Sequence, residues 1–234
     1  MHRRQRTVCA LLLTVAAVLL GTLHPVEATF QMQLQSGSDT RTINDNGLGD
    51  LTGGTPGLIT FAGTLGDFVV NVTLGSSKPL LGSATTPMLN ITSFNATSVA
   101  GGTLTLMLSD TDFGPIGPPA LFSTDLNGTL IPGSLSAQTY VANGLEDFTT
   151  ATLVGSVGPL TGAAGGSNTH VAPVGTPFSM NLKLTLVHAG AGATTFDATA
   201  RATSVPEPSA TLCLGLALFG LGGYAGWQRS KRAV

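Results

Sequence analysis

Few residues in this chain have the type and spacing to do chemistry. The stretch "NDNGLGD" sets Asn44, Asp45, Asn46 and Asp50 among glycines. Alternating side-chain oxygens on a tight loop can wrap a calcium ion, so Asp45 and Asp50 are the metal candidates. The loop lacks the closing glutamate of an EF-hand, and Asx/Gly clusters also serve as plain turns. Of four histidines, His2 and His24 fall in the N-terminal segment, and His170 sits in a Gly/Ser/Asn stretch that reads as a loop. His188 follows Leu182, Leu184 and Leu186 on the inward parity beside "AGAG", which suits a satisfied histidine at a strand end better than a general base. Glu146 and Asp147 are adjacent, whereas a glycosidase needs two carboxyls held apart across the scissile bond. No nucleophile elbow, P-loop, dinucleotide fingerprint or H-E-x-x-H is present. These residues predict no enzyme and no cofactor beyond a possible calcium ion.

The elements that must position them read as strands. In "TLTLML", Leu104, Leu106 and Leu108 share one face and Thr103 and Thr105 the other. "DFVVNVTL" aligns Phe68, Val70, Val72 and Leu74 against Asp67, Asn71 and Thr73. "NLKLTLVH" and "TFDATARA" repeat the pattern, with Leu182, Leu184 and Leu186, then Phe196, Ala198, Ala200 and Ala202, inward. A period of two marks a half-buried strand. Further strands are expected near 30–35, 58–62, 88–93, 120–124, 135–142 and 149–155. Turns are expected at Asn127-Gly128, Asn143-Gly144 and "FGPIGPPA". The expected fold is all-β: an antiparallel β-sandwich of about ten short strands.

Composition narrows the function. Charged residues make up 9% of the 234, well below the roughly 25% usual in soluble domains. Between residues 29 and 204, Arg41, Lys78, Lys183 and Arg201 face ten acids, which leaves the segment at −6. That charge offers no footprint for nucleic acid. Cys9 and Cys213 lie in the terminal segments, so residues 29–204 can form no internal disulfide. Asn71, Asn90, Asn95 and Asn127 each begin an N-x-[ST] sequon, a glycosylation signal that a threonine-rich strand protein also produces by chance.

The two ends read as addresses. Arg3, Arg4 and Arg6 precede the apolar run Val8–Leu23, and "VEA" sets up a signal cleavage after Ala28. Residues 1–28 are thus expected to be a signal peptide and residues 29–204 an exported domain. Near the other end, Ala210–Trp227 is an 18-residue stretch without charge, about 27 Å long as a helix and so at the lower limit for crossing a bilayer. Arg229, Lys231 and Arg232 follow and would anchor the end in the cytoplasm.

Before that stretch stands Val205-Pro206-Glu207-Pro208-Ser209. A Pro-Glu-Pro motif (205–209), one membrane helix (210–227) and a basic end (228–234) together resemble the PEP-CTERM sorting signal of exported proteins in Gram-negative bacteria. The resemblance implies recognition of Pro206, Glu207 and Pro208 by an exosortase that processes the tail. The N-terminal signal adds signal peptidase as a processing enzyme, and the apolar helix implies a transient stay in the inner membrane. The prolines suit that role, because they hold Val205 and Glu207 extended just outside the bilayer. Phrases such as "AGGTLTLMLSDTDF" are also similar to middle domains of other PEP-CTERM proteins, which carry no activity to transfer.

The leading expectation for residues 29–204 is a structural or interaction protein of the cell envelope or extracellular matrix. The alternative is a carbohydrate-binding or adhesive module associated with exopolysaccharide. Its weakness is a shortage of aromatic platforms, since the segment has only Tyr140 and no tryptophan. A secreted hydrolase ranks third, for want of paired catalytic groups.

Overall fold

The computed structural model describes residues 29–117 and 119–205. The expected signal peptide, its cleavage position and the tail from Pro206 onward lie outside the described residues. Among the described residues every regular element is a strand, and no helix is long and apolar enough to cross a membrane.

Ten strands follow in order: β1 (Gln31–Ser36), β2 (Asp39–Asn44), β3 (Leu58–Leu65), β4 (Phe68–Ser76), β5 (Met88–Ser98), β6 (Gly102–Phe113), β7 (Ala120–Asn143), β8 (Thr152–Leu160), β9 (Ala163–Ala172) and β10 (Phe178–Ser204). All pairings are antiparallel. β7 and β10 are long, pair with each other almost throughout, and run through both halves of the sheet. One half has the order β2-β1-β6-β10-β7-β8 and the other β3-β4-β5-β10-β7-β9.

The switch between halves occurs at one level on three strands. On β10 the register breaks between His188 and Ala193, opposite Ile131-Pro132-Gly133 of β7. Pro132 has no N–H to give to a ladder, so pairing cannot continue through it. On the other side of β10 the partner changes from Gly102 of β6 to Ser98 of β5. Gly101 makes that turn at φ +87°, which glycine adopts without steric cost.

The inward faces of the two halves meet. Gly75 of β4 packs beneath Leu108 of β6 and Met32 of β1, and a Cβ there would stand 2.8 Å from each. Phe94 and Phe196 stack at 4.2 Å between ring centroids, and Phe113 lies 5.7 Å from Phe178. Leu104, Leu106, Leu108, Leu182, Leu184 and Leu186 are all buried, as the alternation predicted. Each such side chain contributes about 1.5–3 kcal/mol relative to exposure.

Four expectations need correction. Asn127-Gly128 is no turn but the interior of β7, opposite Asp197 and Phe196. A Cβ on Gly128 would come 2.7 Å from Phe196 Cβ, so the glycine serves close packing. The alternation in β4 slips at register breaks between Val70 and Leu74, which turn Thr73 inward and fully bury it. His170 belongs to strand β9 rather than to a loop. The stretches 120–124 and 135–142 are one strand, and so are 181–188 and 195–202.

Candidate functional site

Asp45 and Asp50 do come together, in the loop between β2 and β3. Asp50 Oδ1 accepts the N–H of Thr52 (2.9 Å), the hydroxyl of Thr52 (2.8 Å) and the N–H of Thr60 (3.0 Å), and its Oδ2 accepts the N–H of Asn46 (3.1 Å). Burial alone would raise this carboxyl, but those donors outweigh it and hold the pKa below the ordinary 3.8. Asp45 Oδ2 accepts the N–H of Gly57 at 2.7 Å. Burial raises the Asp45 pKa above the usual value, the Gly57 N–H opposes that, and the nearby Asp50 charge adds to it. The loop's oxygens are thus largely engaged by the chain's own N–H groups. Among the described residues no cluster of three or more His, Cys, Asp or Glu side chains is arranged for a metal.

His188 lies at the kink of β10 and is 2% exposed. Its Nδ1 is 2.7 Å from Ser98 Oγ and its Nε2 is 2.6 Å from Thr194 Oγ1, with the Phe68 ring 5.3 Å away. The Ser98 distance is that of a nucleophile and base. Both ring nitrogens are spent, however, and the pair is enclosed, so it ties the kinked strand to β5. Burial lowers the His188 pKa below 6.5. Asp147 accepts hydrogen bonds from Ser109 Oγ (3.3 Å) and Thr29 Oγ1 (3.2 Å), which pins the loop after β7 to β6. Glu146 is not part of that contact.

Sequence reasoning passed over a buried ion pair. Lys78 Nζ lies 2.8 Å from Asp110 Oδ1 and 4.1 Å from the centroid of the Phe113 ring, and it also donates to the Thr111 carbonyl. Burial raises the Asp110 carboxyl above its ordinary range against the opposing pull of Lys78. The only signal was an aspartate at an inward-facing strand position.

A groove of about 570 Å³ opens on the outward face of the β5-β10-β7-β9 half. Asn95 on β5, Thr195 and Asp197 on β10, and Asn127 and Thr129 on β7 form its polar walls. Register explains their meeting: Thr195 stands opposite both Asn95 and Thr129, and Asp197 opposite Asn127. The β10–β5 register breaks at the groove, between Phe196 and Ala198. There Ser93 takes φ +56°, and its N–H is held by Asp197 Oδ1 at 2.9 Å. The stacked Phe94 and Phe196 close the floor.

Hydrogen bonding leaves much of the groove free. Asn95 Oδ1 accepts from Asn71 Nδ2 at 3.1 Å. The amide nitrogens of Asn95 and Asn127, the hydroxyls of Thr129 and Thr195, and Asp197 Oδ2 have no protein partner among the described residues. Asn127 lies flat over Gly165 of β9, where a Cβ would fall 2.1 Å from its Oδ1. Among the groove's lining residues Asp197 is the only charge. Three sequon asparagines, Asn71, Asn95 and Asn127, are therefore at this surface, while Asn90 Nδ2 donates to Thr199 Oγ1 at 2.7 Å.

No family model matches the chain, and no curated protein does. Among solved structures, the chain is similar to TmCBM61 in complex with beta-1,4-galactotriose, with 8% identity over 59% of this chain and 90% of that one, TM-score 0.31. It is also similar to a family 29 carbohydrate-binding module complexed with mannohexaose (12%; 76% and 94%; 0.28). A third likeness is to the K1 cleaved adhesin domain of Lys-gingipain from Porphyromonas gingivalis (10%; 75% and 99%; 0.29). Superpositions this loose carry no argument about ligand or role.

Proposed function

We propose that the protein is an exported β-sandwich of the cell envelope or extracellular matrix, and that it holds matrix polysaccharide in the groove over β5, β10 and β7. The observation that carries this reading is the lining of the groove. Amides, hydroxyls and one carboxylate from three strands converge there, and beyond the Asn71–Asn95 and Ser93–Asp197 hydrogen bonds they are left to solvent. A polyhydroxylated chain offers matching donors and acceptors along its length, and these solvent-facing groups can exchange water for them. Asp197 sits in the groove with no cation among its lining residues, so a neutral glycan fits better than a uronate. Contact without aromatic stacking makes each site weak, as suits a protein present in many copies along a polymer.

The tail supports delivery to that setting through its resemblance to the PEP-CTERM signal, with Pro206, Glu207 and Pro208 offered to an exosortase. Calorimetric titration with neutral and uronate-containing oligosaccharides tests the binding reading. Heat is expected from the neutral set alone, and silence from every glycan would sink it.

A further inference from the structure

Among the described residues the sheet has four edge strands, and three of them are guarded. β2 is short, carries Asp39 and Arg41, and is tied at one end by Asp39 accepting the N–H of Gly66 at 3.2 Å. β3 has a register break between Phe61 and Gly63, and the preceding loop lies along its outer side: Leu51 N–H donates to the Thr60 carbonyl at 2.9 Å, and Thr60 N–H donates to Asp50. β8 breaks register twice against β7 and contains Pro159, which has no N–H to offer. Charge, bulges, proline and covering loops are the devices that keep sheet edges from pairing with other chains.

β9 has none of them. Its ten residues, AAGGSNTHVA, hold no Asp, Glu, Lys, Arg or Pro, and they pair with β7 from Ala120↔Ala172 to Thr129↔Ala163 without one shift. Among the described residues no chain segment bonds to its outer side. Ser167 through Val171 are all exposed. The edge runs about 34 Å, at about 3.4 Å per residue.

We infer that β9 is an assembly edge on which a second copy of this chain adds its own β9, antiparallel, about a two-fold axis. A strand is the partner that satisfies a regular row of free N–H and C=O groups. The identical strand is favoured because an antiparallel two-fold pairing is self-complementary and β9 sets no like charges against each other. Ala164 of β9 also lines the groove, so pairing would join two grooves on one continuous face. The edge does not depend on what the groove binds.

The test compares the full chain in detergent with its Ser167→Lys/Thr169→Lys form by sedimentation equilibrium, with amide exchange read along β9. The unaltered chain should dimerise, and its β9 amides should gain protection as concentration rises. The lysine pair should raise the dimer dissociation constant at least about tenfold, because like charges would face each other across the new ladder. Both side chains are exposed, so the melting temperature should stay put. The swap Ser167→Thr/Thr169→Ser, which keeps the edge uncharged, should leave assembly unchanged. A chain that stays monomeric at its highest soluble concentration overturns the inference. So does a lysine variant that dimerises equally well, which would put the contact elsewhere, such as in the tail.

Discussion

The N–H of Thr60 points out of the sheet edge and donates to the carboxylate of Asp50 across 3.0 Å, while the Thr60 carbonyl accepts Leu51 N–H at 2.9 Å. Both backbone groups of that edge residue are thereby satisfied by the loop that sequence reasoning singled out for calcium. The loop works as a cover for β3.

Asp50→Ala should therefore destabilise the fold by about 1–3 kcal/mol, because it strands donors that the carboxylate now satisfies. It should also raise aggregation by opening the edge. Chemical denaturation and light scattering would read the two effects. Since its pKa is lowered in the fold, Asp50 lends stability above pH 3.8 that is lost as pH falls through the folded value. With the oxygens already engaged, the unmutated chain should melt at one temperature in chelator and in millimolar calcium.

A second pH effect comes from His188. Burial lowers its pKa below 6.5, so the unfolded chain takes up its proton first. Above pH 6.5 both states are neutral and the histidine adds no pH dependence. Below it stability declines until the folded pKa is reached. His188→Gln, which can still bond Ser98 or Thr194, should flatten that decline in urea midpoints measured between pH 7.5 and 5.

Lys78→Ala should cost about 3–5 kcal/mol, because it leaves the Asp110 carboxylate buried without its counter-charge. The double change Lys78→Met/Asp110→Asn should recover part of the loss. Equal stability of the single mutant and the parent in denaturant titrations would show that water already reaches Asp110.

Gly165→Ala separates binding from stability. The added methyl would meet the end of the Asn127 side chain, which can swing away at little cost. Melting should barely change, while glycan affinity should fall about tenfold as the amide leaves the groove, in line with the loss of one or two hydrogen bonds. Gly128→Ala should instead destabilise the fold, because its methyl meets Phe196 Cβ and the Thr195 carbonyl.

Strands with a clean apolar face were legible in the sequence: Leu104, Leu106 and Leu108 announced β6, and Leu182, Leu184 and Leu186 announced the first half of β10. β2 and β9 were not, because an edge strand such as AAGGSNTHVA buries little and so shows no period. Asn127-Gly128 misled because a glycine chosen for contact with Phe196 looks the same as one chosen for a turn. The groove was invisible for a different reason. Asn95, Asn127 and Asp197 are far apart in sequence and meet only through the registers of β5, β7 and β10.

The most direct test of the account follows backbone amide shifts of the protein as a neutral oligosaccharide is added. Saturable shifts should cluster at Asn95, Asn127, Thr129, Thr195 and Asp197, and should vanish in Asn127→Ala/Asp197→Ala with the rest of the spectrum unmoved. Shifts confined to the opposite face of the molecule, or identical titrations of parent and double mutant, would contradict the claim that this groove holds polysaccharide.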